Sequence, residues 1–85
     1  MDWWYKNEQE KVNPDNKIKM RDAVVTVLRD GSSLARIQLF YGTNHFFIKT
    51  TNKIVLSHFL FKLGFEEIDE DEKPEGLELL FEAGV

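Results

Sequence analysis

Seven carboxylates stand within ten residues near the end of this chain: Glu66, Glu67, Asp69, Glu70, Asp71, Glu72 and Glu75, with Lys73 the single cation among them. Carboxylates at this density can chelate a hard cation or present a negative field to a basic partner. Chelation of calcium by a loop needs the D-x-[DN]-x-[DN]-G spacing and its closing glutamate, which this run lacks. His45 and His58 are thirteen positions apart, with no cysteine in the chain and no carboxylate at helical spacing, so they do not form a zinc pattern. Ser32, Ser33 and Ser57 stand outside any G-x-S-x-G elbow, and the glycines form neither a G-x-G-x-x-G nor a Walker loop. The expectation is a protein that is not an enzyme and takes no metal or cofactor.

A second set of residues has a different chemistry. Arg36, Gln38, Phe40, His45, Phe47 and Lys49 combine aromatic rings with cations, the mixture used by sheet-type binders of single-stranded nucleic acid for stacking and phosphate contact. Their grouping depends on strand register. Turn signals at Asp30-Gly31-Ser32-Ser33 and Gly42-Thr43 divide residues 17–51 into three antiparallel strands. A two-residue turn at Gly42-Thr43 sets Tyr41 opposite Asn44, Leu39 opposite Phe46, Ile37 opposite Ile48 and Ala35 opposite Thr50. A turn at Gly31-Ser32 sets Leu28 opposite Ala35 and Val24 opposite Leu39. Both registers put Val24, Leu28, Ile37, Leu39, Phe46 and Ile48 on one face, joined by Ile18 and Met20. A slip of one residue would scatter this apolar set. The other face then carries Ala23, Val25, Val27 and the aromatic and cationic set, with Arg36 opposite Lys49 on the adjacent strand. Either residues 1–12 or a second copy of the chain in a homodimer would cover its apolar part.

The apolar face calls for a partner, and Thr51 to Phe65 supplies one. Leu56, Phe59, Leu60 and Leu63 follow helical spacing, Ile54, Val55 and Phe61 widen the stripe, and Gly64 suits the αL residue beyond a helix end. An apolar helix over about residues 52–63, with His58 packed in its stripe, is therefore expected to be covered on most sides. The remaining segments are shorter. Asp2 caps a short helix to about Lys11, with Trp3, Trp4 and Tyr5 folded over apolar surface, and Asn13 to Asn16 form a turn. KPEGLELLFEAGV reads as a hairpin strand turning at Pro74-Glu75-Gly76, or as a short helix with Pro74 at its first position. The predicted class is α+β: a three-stranded antiparallel meander on one apolar helix, followed by a C-terminal hairpin or short helix, in a single domain over residues 1–85.

Composition fits this class. The chain has 85 residues, 42% of them hydrophobic, with seven Phe and two Trp. Its longest nearly apolar run is too short for a bilayer, and no charged leader opens it, so a cytoplasmic protein without membrane contact is expected. The net charge of −4 is unevenly spread. Residues 1–64 carry ten Lys/Arg against six Asp/Glu, and residues 65–85 carry Lys73 against nine acids. That acidic end predicts a protein-binding module, an inhibitor or regulator docking on the basic, nucleic-acid-binding surface of a partner protein. By analogy of size and charge alone, small phage or mobile-element proteins are of this kind. The alternative expectation is a single-strand nucleic-acid binder using the aromatic and basic face, which the acidic end opposes.

Overall fold

The computed structural model describes residues 2–7, 14–31, 36–51 and 60–83. Five strands form one sheet: β1 (Trp3–Asn7), β2 (Ile37–Gly42), β3 (His45–Thr50), β4 (Phe65–Ile68) and β5 (Glu78–Ala83). Their spatial order is β4-β1-β3-β2-β5, and every neighbouring pair is antiparallel. The long helix α1 (Pro14–Gly31) links β1 to β2. β3 lies between those two strands, so β1 and β2 run parallel in a split βαβ arrangement. The fold is α+β, with a five-stranded antiparallel sheet and one main helix in place of the predicted three-stranded meander.

Residues 14–31, predicted in part as the first strand, are helical. Ala23-Val24-Val25-Thr26-Val27 is rich in β-branched residues, which favours a strand by propensity. Lys17, Met20 and Val24 nevertheless fall at i, i+3 and i+7 on one helical face. Val24 is fully buried in the core and Met20 packs against it. Pro14 opens the helix at the position where a missing N–H is harmless. Burial of the helical stripe outweighs the weak local preference. The side chain of Leu28, expected on the inner face, lies outside the described residues.

The β2–β3 hairpin keeps its predicted faces and shifts by two residues. Gly42 pairs with His45, Leu39 with Ile48 and Ile37 with Thr50. The turn is Thr43-Asn44, and both residues have positive φ (51° and 65°), as a type I′ turn demands. An even shift preserves alternation, so Ile37, Leu39, Phe46 and Ile48 still point into the core. Gln38, not Arg36, stands opposite Lys49.

The N-terminal segment, expected as a helix, supplies an interior strand. β1 pairs with β3 on one side and β4 on the other, setting Tyr5 beside Ile48 and Glu67. Tyr5 joins the core with Val24, Ile37, Leu39, Phe46, Ile48, Leu60 and Phe65. Of the predicted apolar helix, residues 52–59, including His58, lie outside the described residues. Residues 60–62 are helical. Leu60 is buried, whereas Phe61, expected under cover, is 74% exposed. Gly64 ends this turn at φ 89°, its N–H donating to the Phe61 carbonyl over 3.0 Å. Asn7 Nδ2 donates to the Leu63 carbonyl over 3.2 Å and ties the turn to β1.

The C-terminal segment is extended, but β4 and β5 do not form a hairpin. They occupy opposite edges of the sheet, β4 beside β1 and β5 beside β2. β5 carries a register irregularity opposite Leu39 and Phe40, which brings Leu80, Phe81 and Ala83 against the core.

Candidate binding surface

Because β4 and β5 lie at opposite edges, residues 69–77 must cross the width of the sheet. Four strand-to-strand steps amount to about 19 Å. An extended chain covers roughly 3.3–3.6 Å per residue, so nine residues suffice. Two contacts show which face they cross. Trp3 and Tyr5 point to the helix side, so Trp4 points to the outer side, and Lys73 Nζ lies 4.9 Å from its ring centroid. At the far end Leu77 rests on Gly42, where a Cβ would stand 2.6 Å from Leu77 Cδ2. The segment is a strap over the outer face, with one 3₁₀ turn at Glu70–Glu72.

The strap and the aromatic and basic set therefore share one surface. Phe47 is 1% exposed and Trp4 5%, although both face away from the helix. Trp4 stacks tilted on Phe40, with ring centroids 5.5 Å apart. Part of the covering expected of residues 1–12 is there, since β1 contributes Trp4 to the face against Phe40, and the strap lies over the same face.

The cations beside this aromatic patch are paired. Arg36 Nη2 donates to Glu82 Oε1 and Gln38 Nε2 to Glu82 Oε2, each over 2.7 Å. These two hydrogen bonds, Gln38's first, together with the Arg36 charge, hold the Glu82 carboxyl below its ordinary range. Lys49 Nζ lies 3.4 Å from Asp2 Oδ2. Asp2, Arg36, Gln38, Lys49, Thr50 and Thr51 line a polar cleft at this end of the sheet. His45, at the other end, places Nδ1 3.0 Å from the Asn7 carbonyl oxygen, a hydrogen bond in the tautomer that carries the proton there.

The predicted acidic residues are differently disposed. Glu66, Glu67, Asp69, Glu70, Asp71, Glu72 and Glu75 are all exposed, the first two on edge strand β4 and the rest on the strap. Among the described residues no group of three or more His, Cys, Asp or Glu is arranged to hold a metal ion, and no helix is long and apolar enough to cross a membrane. Sequence reading overlooked three parts of this surface. Lys73 and Leu77 fasten the strap, and Gly42 makes room for it. The available signal was Lys73 itself, one cation in a run of seven acids. No protein-family model, curated protein or solved structure matches the chain.

Proposed function

We propose that this chain is a small, single-domain, non-catalytic binding module that docks an acidic ridge, residues 66–75, on the basic surface of a partner protein. A groove that ordinarily holds nucleic acid is the surface such a ridge suits best, which would make the module an inhibitor or regulator acting in the cytoplasm. One observation carries this reading: a strap tethered at β4 and resting on Gly42 through Leu77 carries its exposed acids across the outer face of the sheet. An array tethered at both ends, by β4 and by β5, binds with less ordering cost than a free acidic tail and steers a basic partner as it approaches.

The nucleic-acid alternative is weakened by the same geometry. Phe47 is buried where a stacking residue must be open, and Arg36 and Lys49 are engaged by Glu82 and Asp2. The acidic strap lies across the approach. The test uses octa-arginine as the basic probe in low-salt calorimetry, against a variant carrying Glu70→Gln, Asp71→Asn and Glu72→Gln. The expected result is salt-sensitive binding that weakens at least about tenfold in the variant, with an unchanged circular dichroism spectrum. Equal binding by the variant would end the ridge reading, and binding of a single-stranded oligonucleotide instead would favour the alternative.

A further inference from the structure

Lys73 is surrounded in sequence by carboxylates, yet it makes no ion pair among the described residues. Its ammonium sits instead over the Trp4 ring, 4.9 Å from the centroid. Lys49 attends the same ring at 5.8 Å while pairing with Asp2. Tryptophan presents the most electron-rich face of the aromatic side chains, and a cation within about 6 Å is held there by the ring quadrupole. The acids of the strap add a negative surround, so ring and ridge together favour a cation at this spot.

We propose that the face of Trp4 is an exchangeable seat for a cationic side chain, filled by Lys73 in the free protein and by an arginine or lysine of the basic partner in the complex. This rests on the ridge reading and assigns it a specific anchor. Two further observations support the exchange. Residues 69–77 contain no buried residue, and Lys73 makes no ion pair among the described residues, so its ammonium can leave the ring while Leu77 stays on Gly42. The indole Nε1 of Trp4 is buried without a hydrogen-bond partner among the described residues, a donor left unused in the closed arrangement. A peptide entering with its cationic side chain also brings a main-chain carbonyl that can accept from it. Arginine suits the seat better than lysine, since its planar guanidinium stacks on an aromatic face and is more weakly hydrated.

Octa-arginine titrations test this with two readouts. Calorimetry compares the wild type, Lys73→Ala, Trp4→Leu and the double variant, while the Trp4 indole N–H resonance, assigned with Trp3→Phe, reports the seat directly. Emptying the seat by Lys73→Ala should tighten binding about fivefold, the scale of one partly exposed cation–π contact. That gain should vanish in the Trp4→Leu background, and the wild-type indole resonance should move as peptide is added. A gain that survives Trp4→Leu would reflect only the altered net charge and would overturn the seat while leaving the ridge intact. If Trp4→Leu does not fold, the wild-type resonance decides, and an unmoved signal at saturation overturns the seat. An unchanged affinity in the Glu70, Asp71, Glu72 variant removes ridge and seat together. A Trp4 shift produced by oligo-thymidine rather than octa-arginine would mark the face as a nucleic-acid platform and refute the exchange.

Discussion

Tyr5 shows how single residues carry the cost of this fold. It is 3% exposed at the centre of the core, and its hydroxyl has no hydrogen-bond partner among the described residues. Burial, and secondarily the charge of Glu67 on the adjacent strand, push its ionisation above the ordinary value near 10. A raised folded-state value means that the folded chain keeps the proton longer than the unfolded chain. The contribution is constant below about pH 10, and stability falls as pH climbs through the raised value. Tyr5→Phe removes both the unpaired hydroxyl and this titration. Urea unfolding at neutral pH should show a change smaller than about 1 kcal/mol, in the stabilising direction, because no hydrogen bond is lost. Above pH 10 the variant should lose less stability than the wild type. A loss of several kcal/mol at neutral pH would mean that the hydroxyl is satisfied in solution.

Gly42 decides matters for two elements at once, the β2–β3 hairpin and the strap. The sequence suggests a turn glycine, but positive φ falls on Thr43 and Asn44. Gly42 is needed instead for the side chain of Leu77, which occupies the space of a Cβ. Gly42→Ala should cost about 1–3 kcal/mol by overpacking, at the lower end because the clashing atom is the movable tip of a leucine. In a Leu77→Ala background the penalty should shrink to near zero, a coupling measurable by a double-mutant cycle in urea. Additive losses would dissociate Gly42 from the strap. The hairpin also shows what was legible in advance. Alternation assigned each β2 and β3 residue to its correct face because a two-residue error leaves parity unchanged. The strand order was not legible, since nothing local to Trp3–Asn7 announces pairing with residues forty or more positions away. The helix over 14–31 reads as a strand because its β-branched run carries strand propensity, and the helical spacing of Lys17, Met20 and Val24 is confirmed only by the burial of Val24. The acidic run and the aromatic–cationic set were each visible as compositions. Their meeting on one surface follows from β4 and β5 lying at opposite edges, a property of the topology alone.

At the scale of the molecule, the uneven charge of the sequence is woven across the sheet. Of the nine acids after residue 64, Glu78 is held by Lys17 of α1 over 3.3 Å, and Glu82 by Arg36 and Gln38 beside β2. Of the other seven, Glu67 stands beside Tyr5 on the helix side of β4, and five lie on the strap, so the basic part of the chain secures both ends of β5 and leaves the strap acidic. Stability should be graded in the same pattern. β3 is flanked by two strands on each side and contributes Phe46, Phe47, Ile48 and Thr50, all buried. Across the strap, only the 3₁₀ turn supplies internal backbone hydrogen bonds, Glu72 N–H to the Asp69 carbonyl and Lys73 N–H to the Glu70 carbonyl. Amide exchange is governed by the least costly opening that frees each N–H, and segments without buried residues open at a small fraction of the global free energy. In native-state hydrogen exchange the Glu72 and Lys73 amides should therefore exchange through local opening, insensitive to low urea. Those of Phe47 and Ile48 should follow global unfolding. Octa-arginine should alter the strap amides without slowing β3 by more than its overall stabilisation of the fold. Strap amides protected as strongly as β3 in the free protein would mean that the strap is welded to the sheet, and a seat that depends on lifting Lys73 would have no route to open.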